Sequence, residues 1–200
     1  MSDTKPKYEF QNVKVSRLPP LPEPLDPIVT DLFEDTANRG GSILNLHLTK
    51  AHAPKLQLAG RHITRALRSE CDSPRVLREI AILRSSILVG CAYEAHHHSA
   101  LAAAAGLTQE QVDAVKSEWR PKADLFDDKQ QALLAYVDQL GLNKGDVDDA
   151  TFAGMEKHFS PQEIVELTMS ATSYYGGGIF MKAMRIELDD PHKKAAPGKF

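Results

Sequence analysis

The sequence predicts an all-α protein, and three observations carry that prediction. Apolar residues recur at helical spacing through the middle of the chain. Proline, Asp/Ser/Thr caps and glycine punctuate it at intervals suited to helices of ten to twenty residues. No stretch of alternating apolar and polar residues competes as a strand.

Residues 1–26 hold Pro6, Pro19, Pro20, Pro22 and Pro24 and read as an extended, proline-rich arm. Asp26-Pro27 is a cap followed by a first-turn proline and opens a helix through Ala37, which stops before Gly40-Gly41. A short helix over Ile43–His52 breaks at Pro54, and another runs from there to about Arg68. Ser73-Pro74 opens the next, with Val76, Leu77, Ile80, Leu83, Ile87 and Leu88 at helical spacing and Gly90 placed to end it. A helix then spans about Ala92 to Ala105 and stops at Gly106. Thr108 and Gln111 form a capping box that opens a helix towards Trp119. Further helices fit Asp127–Leu140 and Asp146–His158, and a final one opens at Ser160-Pro161, with Glu163 at N3, and ends near Leu188. The organisation predicted is a 1–26 arm, one helical domain over 27–190, and a 191–200 tail.

Composition narrows the function. At 42% hydrophobic and 26% charged residues the chain is ordinary globular material, large enough for a sizeable core. A net charge of -3 gives no reason to expect nucleic acid or an anionic membrane as a partner. No apolar run is long enough to span a bilayer, and the polar Met1–Tyr8 lacks the apolar region of a secretory signal, so a cytoplasmic location is expected. No glycine-rich loop precedes a helix. Gly176-Gly177-Gly178 falls inside the last helical segment, where it permits close packing or a kink, so no cofactor is expected. The partner expected is a small-molecule substrate.

The chemistry concentrates between Arg75 and Ala105. Glu79 shares the apolar face of Val76 and Leu83, which argues for a buried carboxylate, although pairing with Arg75 or Arg78 at the surface is the plainer reading. Cys91, Glu94, His98, Leu101 and Ala105 form one stripe on the next helix. Glu94 and His98 stand at i and i+4, close enough to hydrogen-bond, which would raise the imidazole pKa and fix its tautomer. Cys91 lies at the helix N-terminus, where the dipole favours a thiolate, although a lone cysteine is more often a small buried hydrophobe. His96-His97-His98 does not make a metal site, because consecutive helical side chains point about 100° apart. No metal is expected, and His96 and His97 read as a solvated or subunit-facing pair.

Glu79, eleven residues, Cys91, two residues, Glu94, three residues and His98 resemble the E-x11-C-x2-C-x3-H signature of the alkylhydroperoxidase D family, with Glu94 in place of the second cysteine. The E-x3-H pair is similar to that of γ-carboxymuconolactone decarboxylases, which share the fold, and Cys-Ala-Tyr-Glu resembles a subgroup with tyrosine and glutamate there. The likeness runs from Leu44-Asn45 through Leu83-Arg84 to Tyr174-Tyr175 and Ile186-Glu187-Leu188. It implies a coupled Glu79–His98–Glu94 network and a homo-oligomer, trimer or hexamer. The arm or the last helix is expected at the subunit contact.

Three functions compete. Acid–base chemistry needs no cysteine: His98, held by Glu94, would protonate a carbanion, Glu79 would tune it or act as base, and Tyr93 would bind a substrate oxygen. That reading is a decarboxylase-like lyase or isomerase acting on a small organic acid or lactone. The alternative is a one-cysteine, thiol-dependent peroxidase through Cys91. Cys71 is the other thiol that could resolve it, but a two-cysteine cycle is not expected, because the intervening helix separates the two by about 20–25 Å and a disulfide needs Cα atoms within about 7 Å. The third is a non-catalytic ligand-binding module on the same scaffold.

Overall fold

The computed structural model describes residues 10–190 and 192–193, so most of the predicted 191–200 tail and the first nine residues of the arm lie outside the described residues. Among the described residues every regular element is helical: α1 Pro27–Asn38, α2 Asn45–Lys50, α3 Pro54–Arg65, α4 Arg75–Leu88, α5 Ala92–Ala104, α6 Gln109–Val115, α7 Asp128–Leu142, α8 Asp149–His158 and α9 Pro161–Met184. None is long and apolar enough to cross a membrane.

Local chemistry sets most of the starts. The Asp26 side chain accepts from the Ile28 N–H ahead of α1. The Thr108 and Asp127 side chains do the same for Gln111 and Gln130, each with a reciprocal glutamine. The stops are glycines in the left-handed region where expected: Gly90 at φ 67° after α4 and Gly106 at φ 118° after α5.

Two boundaries differ most from the sequence expectation, by four residues each, and α8 starts at Asp149, three residues after the expected Asp146. α6 ends at Val115 rather than near Trp119, and a 3₁₀ segment, Arg120–Leu125, follows. The cause lies outside local propensity: the buried Trp119 donates its indole N–H to Asp138 on α7, 3.0 Å away, which pulls the chain off the helical path. α9 ends at Met184, four residues before Leu188, because Arg185 turns to φ 51°. The α3 path continues as a π-helical turn over Ala66–Glu70, where the sequence reading had continued α-helix.

The chain divides into two compact units, residues 1–70 with 181–200 and residues 71–180. The first is organised around Leu21, Val29, Phe33, Ile43, Leu48 and Ala51, with Phe10 edge-on to Phe33 at 5.4 Å. The described part of the proline-rich arm therefore builds into this core through Leu21. It is also tied to residues 181–190, since Arg17 N–H donates to the Met184 carbonyl (2.9 Å) and Glu187 N–H to the Val15 carbonyl (3.0 Å). Asp189 caps the start of α2 by accepting from Asn45 N–H at 2.7 Å, while the Asn45 amide donates to the Glu187 and Leu188 carbonyls.

The second unit carries the larger core, with Ile80, Leu83, Leu133, Leu134, Met155 and Leu167 fully buried. α4 runs through its middle. A Cβ on Gly141 of α7 would come within 2.7 Å of Leu88, so only glycine allows this approach of α7 to α4. Arg84 of α4 is 3% exposed and donates to Asp138 of α7 at 2.6 Å and to the carbonyls of Val115, the last residue of α6, and Ser117 just beyond it. The turn leading into α4 is held by Glu166 of α9, which accepts from the Asp72 and Ser73 N–H groups at 3.1 and 2.7 Å. Desolvation opposes the charge there, but the hydrogen bonds from Ser73, Gln162 and Asp72 prevail and hold the carboxyl at a pKa of about 2.

Candidate active site

The site forms where α4, α5 and α9 meet within the second unit. Glu79 comes from the middle of α4, and Cys91, Glu94 and His98 from the first two turns of α5. The four are between 2% and 6% exposed, so each is shielded from bulk solvent.

His98 is the hub. Its Nδ1 lies 2.8 Å from Glu79 Oε2, and its Nε2 lies 3.4 Å from Glu94 Oε2. The stripe explains the second contact, since Glu94 and His98 are one turn apart on α5. Glu79 reaches the first because its position on α4 faces inward, on the apolar side. The plainer reading of Glu79 survives in part: Arg75 Nε is 3.6 Å from Glu79 Oε1, but the carboxylate is buried and its other oxygen goes to His98.

Burial by itself would push the His98 imidazole below its ordinary value. Hydrogen bonds and charge from Glu79 and Glu94 outweigh that, and its pKa rises from 6.5 to about 9. Such a raised value favours the protonated ring of His98 at neutral pH. The folded-state pKa lies above the unfolded value, so His98 contributes stability that is fully present below about pH 6.5 and lost as pH rises through about 9. An NMR titration of the His98 ring should show its midpoint on the alkaline side of neutrality. A midpoint at or below 6.5 would count against the paired imidazolium.

α9 closes the cluster. The Tyr174 ring stands edge-to-face with the His98 imidazole, centroids 4.7 Å apart and planes at 78°. One turn later a Cβ on Gly178 would fall 3.1 Å from the Cys91 Cβ and 2.5 Å from Val89 Cγ1. Of the three glycines Gly176-Gly177-Gly178, it is Gly178 that answers the close-packing expectation; Gly176 is exposed with open space around it. Sequence reasoning placed Tyr174 only among the family-like positions and missed its contact with His98.

The remaining candidates sit beside the cluster. Tyr93 is buried, and its ring packs on His97 at 4.8 Å, one turn along a neighbouring stripe of α5. His96 is exposed and His97 half-buried, with rings 5.4 Å apart. Among the described residues no group of three or more His, Cys, Asp or Glu side chains is arranged to hold a metal ion. Cys71 and Cys91 are not joined in a disulfide.

The helical fold is similar to that of alkylhydroperoxidase D-like proteins. Among solved structures, a peroxidase-related protein with an alkylhydroperoxidase D core from Ralstonia eutropha JMP134 is 20% identical, with a TM-score of 0.77 over 88% of this chain and 94% of that one. A peroxidase-related protein from Silicibacter sp. TM1040 is 15% identical, with a TM-score of 0.79 over 96% and 97%. The debrominase Bmp8 is 20% identical, with a TM-score of 0.72 over 89% and 93%. No curated protein matches the sequence. Residues 55–138 match the model of the carboxymuconolactone decarboxylase family. Over those residues the chain is similar to the carboxymuconolactone decarboxylase family, and its fold is that of the alkylhydroperoxidase D-like structures.

Proposed function

We propose that the protein is an enzyme that transfers protons to and from a small organic acid or lactone, as a decarboxylase-like lyase or an isomerase, without a cofactor. The observation that carries this reading is the His98 ring held between the buried carboxyl groups of Glu79 and Glu94. The two sides differ in a useful way. The 2.8 Å contact to Glu79 is a full hydrogen bond and anchors the ring. The 3.4 Å contact to Glu94 is looser, so Nε2 is the nitrogen from which a substrate atom can take the proton. When a substrate carboxylate leaves as carbon dioxide, its bonding electrons pass into an adjacent conjugated carbonyl, and Nε2–H protonates the resulting carbon. Glu79 stabilises the positive ring before transfer, and Glu94 returns a proton to Nε2 from solvent or product. Tyr93 would bind a substrate oxygen.

A second reading, a one-cysteine peroxidase, is favoured by the place of Cys91 at the N-terminus of α5. There the thiolate would displace alcohol from a hydroperoxide, leaving a sulfenic acid for an external thiol to reduce. The debrominase relative extends the same idea to other leaving groups: a cysteine-to-alanine variant of that enzyme, 19% identical to this chain, forms a complex with 2,3,4-tribromopyrrole. Treating the protein with hydrogen peroxide and a sulfenic-acid trap, then weighing it, separates the two readings. An unlabelled Cys91 supports proton transfer, and rapid stoichiometric labelling overturns it.

We also propose that the protein is a homo-oligomer whose contact includes the outer face of α9. Val165, Met169 and Ile179 are exposed there, and burying them would remove apolar surface from water. Light scattering that reports a monomer at micromolar concentration contradicts this.

A further inference from the structure

We propose that Tyr174 and Gly178 of α9 are positioning residues for the Glu79–His98–Glu94 relay, and that α9 is the element that keeps His98 oriented and dry. The inference rests on the reading of His98 as proton donor, and the geometry of α9 takes it further.

Tyr174 and Gly178 are four residues apart on one face of α9. Tyr174 meets His98 and Gly178 meets Cys91, so ascending α9 descends α5 and the two helices cross the site in opposite senses. The two contacts have different jobs. The Nδ1 of His98 is hydrogen-bonded to Glu79 and its Nε2 lies beside Glu94, which leaves the rest of the ring to be covered. An aromatic ring 4.7 Å away at a steep angle supplies that cover. Excluding water matters because the hold of two carboxylates on an imidazolium weakens as the local dielectric rises.

Gly178 sets the depth of α9. Its lack of a side chain answers a steric demand, since a Cβ would strike Val89 at 2.5 Å and crowd Cys91 at 3.1 Å. Any larger residue must lift α9 or shift the α4–α5 junction. Lifting α9 carries Tyr174 off His98 and uncovers Cys91 at once. The same glycine therefore governs the proton donor and the thiol.

The experiment needs no substrate. In wild type, the His98 ring N–H protons should exchange slowly enough to appear as far-downfield proton resonances at neutral pH. Tyr174→Ala should lose them to exchange with water, and Tyr174→Phe should keep them, since the ring alone provides the cover. Gly178→Ala should lose them too and should expose Cys91 to iodoacetamide faster than in wild type. The double variant Val89→Ala/Gly178→Ala, which frees the space the new methyl needs, should recover the resonances. If Tyr174→Ala does not fold by circular dichroism, Tyr174→Leu reads the same signal with apolar bulk retained. Resonances and alkaline titration midpoint unchanged in both Tyr174→Ala and Gly178→Ala overturn the proposal. Because the signal is read without turnover, an inactive wild type with intact resonances would remove the proton-transfer reading and leave the positioning of the ring standing.

Discussion

His98→Ala is expected to lower turnover by about two to four orders of magnitude, the usual contribution of a general acid or base, while Cys91→Ser keeps most of it. The asymmetry follows from the site. Alanine removes the ring that lies between Glu79 and Glu94 and leaves two buried carboxyl groups without it. Serine nearly matches cysteine in size and leaves His98 untouched. The Cys91 N–H to Ser86 carbonyl bond, 2.9 Å, is a backbone contact that the exchange preserves. Serine is also a better residue than cysteine at the N-cap of α5, so the helix loses nothing. A thiol peroxidase would reverse the ranking, because serine is a far poorer nucleophile towards peroxide at neutral pH. Steady-state rates of both variants on one substrate decide the matter, and Cys91→Ser falling below His98→Ala sinks proton transfer as the main chemistry.

Asp138→Ala should cost about 3–5 kcal/mol of stability, the range for removing one partner of a buried ion pair. Asp138 is 1% exposed and accepts from Arg84, Trp119 and Arg120 at 2.6, 3.0 and 2.7 Å. Without it the Arg84 guanidinium stays buried, with backbone carbonyls but no nearby buried anion. The Glu118 carboxylate, 3.9 Å from Arg84 and mostly exposed, is a weak substitute. Small domains hold about 5–15 kcal/mol in total, so the loss is a large share. Urea unfolding measures it. Arg84→Met/Asp138→Leu should lose less than Asp138→Ala, because no charge is left stranded. A single-variant loss below about 1 kcal/mol would show that the network is not what fixes α4 to α7.

Much of this architecture was legible because it is written locally. Asp26-Pro27, the Thr108–Gln111 box and Gly90 act within one helical turn, and each marks a boundary of the structure. The inward face of Glu79 and the Glu94–His98 spacing are local too, which is why the cluster could be named from residues 75–105. What escaped depends on partners far along the chain. Trp119 leaves the helical path to reach Asp138, nineteen residues on. Tyr174 meets His98 across seventy-six residues, in a register that Gly178 sets through Val89 and Cys91. The three glycines hinted at close packing without saying which of them packs, or against what. The division of the chain was equally hidden, since it rests on hydrogen bonds between residues 15–17 and 184–187.

That division bears on how the protein is made. Residues 71–180 are contiguous in sequence and contain the whole candidate site. The other unit is discontinuous, and the strap from residue 10 to residue 25 waits for partners that lie more than 150 positions later. During synthesis the strap leaves the ribosome well before its late partners, and the hydrogen bonds of residues 15 and 17 to residues 187 and 184 form only after those residues emerge. The nascent chain thus holds all the residues of the candidate site before its strap can make its last hydrogen bonds, and the interval between the two is when that strap is exposed to chaperones and proteases.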